Sequence, residues 1–288
     1  MAEPREPTWR AKWLGQKLRD LRKNKGFSIA DVADRLKCGT STINRFETGI
    51  YPVRPEEMVL LLTMFGVSER DQREELLELA AEVAERGWLE SLVSDRAFAD
   101  FLWAEGKATV IRTFQMAVVP GLIQEPLYAE ALIRIGSAAA DEVEAAKLLE
   151  ARLARGKILR GDNPPDSRFL LHEAVLHQRV QGIDRGTYRA QLHHMLKLAE
   201  YPHVRIRVLP LDSGAHNVVG FNTGITILSM PATWPTLAHV ETPLGAMVAE
   251  APDIDSFKGI YDALWDENAL DEERSTAKMT AMLKELET

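Results

Sequence analysis

The chain has 288 residues, 45% of them apolar and 27% charged, and a net charge of −8. That length fits one to three domains with packed cores, and the overall acidity argues against a chain that is basic throughout, as a whole-surface nucleic-acid binder would be. The single cysteine excludes an internal disulfide, no apolar run reaches the ~18 residues of a membrane span, and the opening MAEPREPTWR has no signal-peptide core, so a soluble cytoplasmic protein with no membrane partner is expected.

The charge is unevenly spread. Residues 1–55 carry 12 Lys/Arg against 6 Asp/Glu, whereas the remainder carries 23 against 37. A basic head on an acidic body draws phosphate to one end and repels it elsewhere. Residues 1–8 are rich in Pro and charge and are expected to fray. Trp9 to Asn24 reads as a helix with Leu14, Leu18 and Leu21 on one face. Arg19, Arg22, Lys23 and Lys25 gather at its end, where they suit the helix dipole, and Gly26 stops it.

Residues 28–49, SIADVADRLKCGTSTINRFETG, read as two short helices joined by a tight turn. Ile29, Val32, Ala33 and Leu36 recur at helical spacing, and Ser28 with Asp31 forms a capping box. Lys37-Cys38-Gly39 is the turn, with Cys38 as core filler. The second helix runs from Thr40 to Thr48, and Gly49 ends it. Ile43 and Phe46 point inward; Thr40, Ser41, Asn44, Arg45 and Thr48 point outward. Such a face either lies in water as the outside of an ordinary helical hairpin or enters a DNA major groove, where hydroxyls, amides and Arg read base edges. Pro52, Arg54 and Pro55 then lead into a helix over Glu56 to Phe65.

In this order, LGxxLRxLRxxxGxSxxxVAxxL and TINRFExG resemble the Xre-type helix-turn-helix of bacterial and phage repressors, over Leu14 to Val67. The resemblance implies a double-stranded DNA partner and pairs Arg22 with Glu47. It also implies a Gln at the start of the second helix, where this chain has Ile29, which leaves Ser28 as the phosphate contact on that side, through its hydroxyl or the helix N-terminal N–H groups. Thr40, Ser41 and Arg45 are the base-edge candidates, Asn44 follows, and Ser28, Thr42 and Arg54 are candidate backbone contacts.

Ser68 to Arg86 reads as a long amphipathic helix with Leu76, Leu79, Ala80, Val83 and Ala84 on one face, either a linker or a dimer seam. Gly87 and Trp88 end it. The expected domains are 9–67 for the head, 68–87 for the connecting helix and 88–288 for the remainder. In that remainder, helices are expected over Asp95 to Gly106, from Pro126, over Asp141 to Arg160, Gly186 to Glu200, Asp255 to Trp265 and Asp271 to Leu286. Strands are expected over Ala108 to Val119, Arg168 to Leu171, Val204 to Leu209, Phe221 to Met230, Leu237 to Glu241 and Ala246 to Glu250, the last two joined by a hairpin turn at Thr242 to Gly245.

PGLIQ (120–124), Tyr128-Ala129, EARLAR (150–155), HEAVL (172–176) and VRIRVLP (204–210) resemble the uncharacterised carboxy-terminal domain of actinobacterial WhiJ-like regulators. The resemblance implies a regulator with a small partner protein in an antitoxin-like arrangement. Glu125 and Gly156 stand where that family often has Thr and Gln. The fold class is therefore α+β: an all-α, lambda-repressor-like head followed by helices packed on a mainly antiparallel sheet.

Other constellations are set aside. All seven histidines lie between 172 and 239, but His172 and His177 sit at i, i+5, about 140° apart on a helix. No metal is expected. Asp212, Ser213 and His216 have triad chemistry without a nucleophile elbow, and no glycine pattern for a phosphate or dinucleotide occurs, so neither an enzyme nor a cofactor is expected. Arg205 and Arg207, with Glu173 and Glu241, either line a polar pocket or face solvent, and the loop Leu211 to Gly220 suits a flap. The expected function is DNA-binding transcriptional regulation by a homodimer, with a carboxy-terminal domain that senses a partner protein or ligand. The alternative is an antitoxin-like or scaffolding protein whose DNA binding serves autoregulation.

Overall fold

Helix starts and stops in the amino-terminal half are set by the residues that cap them in the computed structural model, which describes residues 7–84, 96–136, 141–178, 180, 182–213, 224–231, 234–242, 245–249 and 253–287. The chain divides into two units, residues 1–100 and 101–288. The first contains α1 (Trp9–Asn24), α2 (Ile29–Leu36), α3 (Thr40–Glu47), α4 (Pro55–Met64) and α5 (Arg70–Ala84). Thr8 Oγ1 accepts from Ala11 N–H at 3.3 Å to start α1. Ser28 Oγ accepts from Asp31 N–H at 3.1 Å, and Asp31 Oδ2 accepts from Ser28 N–H at 2.7 Å, the reciprocal pair that starts α2.

α2 ends on Lys37, a non-glycine residue in the left-handed region with φ 53°. Gly39, the last residue of the expected turn, is the N-cap of α3 and has ordinary φ. The interior of the head is Leu14, Leu18, Val32, Ile43, Phe46, Met58, Leu61, Leu62 and Phe65, all buried. α5 is two residues shorter at its start than its pattern suggests, with residues 85–87 outside the described set. It buries Leu76, Leu79 and Ala80 within the chain, which leaves that part of its apolar face unavailable for a dimer seam.

α1 crosses α3 closely enough that only glycine fits at two points. A Cβ on Gly15 would lie 2.6 Å from the carbonyl oxygens of Phe46 and Glu47. A Cβ on Gly49 would lie 2.6 Å from the Ala11 carbonyl carbon, and Gly49 also has φ +72°.

The second unit is built on a mixed six-stranded sheet in the order β3-β2-β1-β4-β5-β6. Its strands are β1 (Val110–Gln115), β2 (Asp166–His172), β3 (Val204–Leu209), β4 (Ile225–Ser229), β5 (Leu237–Thr242) and β6 (Gly245–Ala249). β1, β2 and β3 run parallel; β4, β5 and β6 are antiparallel to their neighbours. The parallel half follows from its connections, since the helices Pro126–Gly136 and Glu142–Gly156 lie between β1 and β2, and the helix Arg185–Leu198 lies between β2 and β3. The expected strand β3 is observed residue for residue. The expected strand over Ala108 to Val119 shrinks to six residues. Thr242 and Gly245 pair as a hairpin requires, while residues 243–244 and 221–223 lie outside the described set.

One sheet face carries Phe114, Leu170, Leu209, Ile225, Ile227, Ala238 and Val240. It is covered by Ile254 and Tyr261 of the helix Ile254–Ala263 and by Leu264 and Trp265 of the π-helical turn that follows. The helix Glu272–Glu287 closes the unit against β3, where Ser275 Oγ accepts from Val208 N–H at 2.9 Å.

The two tight crossings make a stability prediction. Gly26 shares a positive φ of 75° with Gly49 but has no atom within 4 Å of an added Cβ. Gly26→Ala should therefore cost only the left-handed backbone strain, about 1–2 kcal/mol. Gly49→Ala should add an overpacking cost of about 1–3 kcal/mol. Urea denaturation of the two variants checks this, and equal midpoints would refute the close α1–α3 approach.

Candidate nucleic-acid interface

α3 has one face that is locked and one that is open. Ile43, Phe46 and Glu47 are buried; Thr40, Ser41, Asn44, Arg45 and Thr48 are exposed, and Thr42 is half-buried. The lock at the far end is ionic. Arg22 Nε donates to Glu47 Oε1 at 2.5 Å and Arg22 Nη2 donates to Glu47 Oε2 at 2.9 Å, both side chains being under a tenth exposed. Arg22 Nη1 also donates to the Phe27 carbonyl at 2.8 Å. One guanidinium thus joins the end of α1, the loop before α2 and the end of α3. The fork geometry of Arg fits this bidentate task, and Lys would not.

The open face presents its groups unequally. Gly39 offers no side-chain cap, so the first-turn N–H groups of α3 lie beside the Thr40 and Ser41 hydroxyls without one. Thr48 Oγ1 donates back to the Asn44 carbonyl at 2.9 Å, which uses up its hydrogen. Arg45 is held rather than loose. Its Nη1 donates to Tyr51 Oη at 3.0 Å, and its guanidinium carbon lies 4.8 Å above the Tyr51 ring. Tyr51 is itself 47% exposed, and its N–H donates to the Arg45 carbonyl at 3.2 Å. Sequence reasoning missed Tyr51. Its one signal was an aromatic side chain just beyond the helix stop.

The flanking candidates already have partners within the chain. Ser28 is exposed, but its hydroxyl donates to Asp31 Oδ2 at 2.7 Å, as its N–H does. The Ser28 hydroxyl, followed by its N–H, holds the Asp31 carboxyl below the usual carboxylate range, so it stays charged beside this hydroxyl. What α2 offers a phosphate is therefore its first-turn backbone N–H groups rather than the serine side chain. Arg54 is 75% exposed at its side chain and pairs with Glu57 at 3.2 Å, a contact weak enough to yield to a phosphate. Cys38 is half-buried; burial, followed by the nearby Glu57 charge, pushes its thiol up, which keeps it protonated and unreactive.

In the second unit Arg205, Arg207 and Glu173, which the sequence leaves as pocket lining or solvated face, each take other partners. Arg207 is bound by Glu272 through two bonds of 3.0 and 3.1 Å and donates to the Trp265 carbonyl at 3.0 Å. Arg205 pairs with Asp166 at 3.1 Å. Glu173 lies on the short helix after β2, where it takes Lys278 at 2.6 Å, Leu211 N–H at 3.0 Å and His177 at 3.3 Å. The Glu241 side chain, His216 and most of the expected flap lie outside the described residues. Among the described residues no three or more of His, Cys, Asp and Glu group to hold a metal ion, and no helix is long and apolar enough to cross a membrane.

The motif PGLIQ becomes a buried clasp. Gln124 Nε2 donates to the Val119 carbonyl at 2.7 Å, and its Oε1 accepts from Arg152 at 3.0 Å. Arg155 makes two bonds to Glu105, of 2.7 and 2.9 Å, and its guanidinium would stand 2.9 Å from a Cβ on Gly121. Gln191 accepts from Glu125 N–H and donates to the Ile123 carbonyl. Glu125 caps the next helix through Leu127 and Tyr128 N–H. Glu125, one of the two positions at which the chain departs from the resemblance, thus caps a helix.

A family model described as a helix-turn-helix domain matches residues 13–76, and one described as a domain of unknown function, DUF5753, matches residues 98–281. No curated protein and no solved structure matches the chain. The helix-turn-helix match takes in most of α1, all of α2 to α4 and the first part of α5, and implies DNA binding by the first unit.

Two predictions follow from these ion pairs. Arg22→Met leaves the Glu47 carboxylate buried without its partner and should cost about 3–5 kcal/mol, while Arg22→Met with Glu47→Met should recover most of that loss; denaturation midpoints of the single and double variants check it. Burial pushes Glu272 up, but its bonds to Arg207 outweigh this and hold it below the usual range. Its folded value being depressed, its stabilisation is complete above the unfolded value of about 4.3 and is lost as pH falls through the folded value. Melting temperature should drop on acidification below that value, and less steeply in Glu272→Gln.

Proposed function

The chain belongs to the DUF5753 family, and we propose that it is a sequence-specific DNA-binding transcriptional regulator with an Xre-type head and a WhiJ-like carboxy-terminal domain. The observation that carries this reading is the asymmetry of α3. Its buried face and ion-paired end fix the helix, while Thr40, Ser41, Asn44 and Arg45 stand exposed along the other side. Arg45 laid on Tyr51 is a donor fork with reduced freedom, so less entropy is lost when it meets a guanine edge. Thr42, Arg54 and the start of α2 at Ser28 supply contacts to the sugar-phosphate backbone.

A single eight-residue recognition helix contacts too few base pairs for strong selectivity, so the operator is a palindrome read by a homodimer. The carboxy-terminal domain senses a signal and shifts DNA affinity by binding two states of the protein unequally. It performs no catalysis in this reading. A second reading, an antitoxin-like protein that grips a small partner protein, is favoured by the apolar side chains that the helices Pro126–Gly136 and Glu142–Gly156 leave in solvent: Leu127, Ile135, Val143 and Leu153. Co-purification at fixed stoichiometry with such a partner would favour it.

Selection from a random duplex pool, followed by affinity measurement, tests the main reading. Arg45→Ala should lose about 1–3 kcal/mol at the selected site and much less on random duplex. Tyr51→Ala should reproduce part of that loss. Equal operator affinity for wild type and Arg45→Ala would remove Arg45 from the interface, and no selectable sequence at modest salt would remove the function.

A further inference from the structure

Three arginines stand side by side across the parallel half of the sheet. The register sets Arg112 of β1 opposite Arg168 of β2, and Arg168 opposite Arg205 of β3. Neighbouring strands lie about 4.8 Å apart, so the row spans about 10 Å. Like charges directly opposite one another destabilise a sheet. The acids nearby compensate only in part: Arg205 pairs with Asp166 at 3.1 Å, and that one carboxylate must serve Arg168 as well. Arg168 Nη2 reaches Asp166 Oδ2 at 3.4 Å, Arg112 Nε reaches Asp262 Oδ1 only at 3.7 Å, and Arg112 Nη1 reaches Ser229 Oγ at 3.3 Å. Distances of that length are weak bonds or none. Among the described residues, Arg112 Nε and Arg168 Nε are buried donors with no hydrogen-bond partner, each a desolvation cost left unmet.

Arg207 shows what a satisfied arginine on the same face looks like. It has two bonds to Glu272, one to the Trp265 carbonyl, and the Trp265 ring 4.6 Å from its guanidinium carbon. The three arginines of the row have no such set. We propose that the row Arg112–Arg168–Arg205 is an anion-binding site for a small molecule bearing a phosphate or diphosphate group. Forked guanidiniums on adjacent strands match an oxyanion with several oxygens, and a diphosphate lets neighbouring arginines each take one end. The side chains of Arg112 and Arg168 are only 18% and 26% exposed, which suits a compact anion reaching in and not a duplex backbone lying across. Asp262 is 47% exposed on the helix above and holds Arg112 loosely, so the anion displaces it. The site names a ligand class for the sensing domain and takes its regulatory meaning, though not its existence, from the reading above.

The test is calorimetric titration and thermal shift of the full chain with pyrophosphate, with inorganic phosphate and chloride at matched ionic strength as comparisons. Wild type should bind pyrophosphate more tightly than phosphate, and chloride should give no shift. Arg168→Gln should weaken pyrophosphate about tenfold or more, the loss of a charge-assisted bond. Arg205→Gln, at the more exposed end of the row, gives the same readout should Arg168→Gln not fold. Asp262→Asn should tighten binding, whereas a purely structural carboxylate would only lower the melting temperature. No response to pyrophosphate at about 1 mM, or equal binding by the Arg→Gln variants, overturns the proposal. So does a loss of duplex affinity in those variants with pyrophosphate binding unchanged. Duplex affinity of the wild type is measured without pyrophosphate; its absence would sink the DNA-binding reading and leave the anion site standing.

Discussion

Everything that the amino-terminal unit can present to DNA depends on the clasp between Arg22 and Glu47. A buried ion pair is a poor source of net stability, because two desolvated charges recover little more than they lose. Its worth here is positional. Two bonds to Glu47 and one to the Phe27 carbonyl allow the guanidinium one placement, and that placement sets where α3 ends. Gly15 and Gly49 complete the constraint by letting the α1 backbone approach that same end. An apolar contact could hold the helix as firmly but would let it slide or roll. The fork does not, so the pitch of the exposed row from Thr40 to Arg45 is inherited from residues that never face solvent.

Most of the head was readable from spacing alone, because its signals are local. Helical periodicity, the Ser28–Asp31 box and the glycine stops each act within a few residues, and α1 and α2 begin and end where those signals say. Two details were not readable. Periodicity and spacing left open whether Ser28 offers a phosphate its hydroxyl or the helix N–H groups, and only the contact with Asp31, which takes the hydroxyl hydrogen, narrows that choice. Tyr51 was invisible because its role depends on the left-handed turn at Gly49 folding the chain back over Arg45. That contact is close in sequence, yet no period announces it.

The second unit was read strand by strand but not as a sheet. The alternation of VRIRVL gives β3 its two faces, and the hairpin gives β5 and β6 each other. Nothing local says that β1 pairs with β2 in parallel and with β4 in the opposite sense, since that is decided by how the intervening helices pack. The choice between pocket and solvated face for Arg205 and Arg207 was hidden for the same reason. Arg207 finds its partner in Glu272, sixty-five residues away on the closing helix. The PGLIQ motif was visible as a resemblance, but its purpose as a clasp required Gln124, Arg152, Arg155 and Gln191 to be brought together.

That long-range pairing is also what makes the arginine row meaningful. In sequence, Arg112, Arg168 and Arg205 are unrelated; in register they are one line of like charge on the face that also carries Phe114, Leu170 and Leu209. Sequences consistent with their fold avoid such arrangements, and where one persists, function is the usual reason for tolerating it. Regulation adds a condition that contacts alone do not meet. An effector changes DNA affinity only by as much as DNA changes the affinity for that effector, because coupling between two sites is reciprocal. An anion bound equally well by the free and the DNA-bound chain would occupy this sheet and regulate nothing. A domain that senses must therefore hold its ligand through groups that differ between the two states, and a loose carboxylate such as Asp262 beside an underserved arginine is the kind of element that can differ.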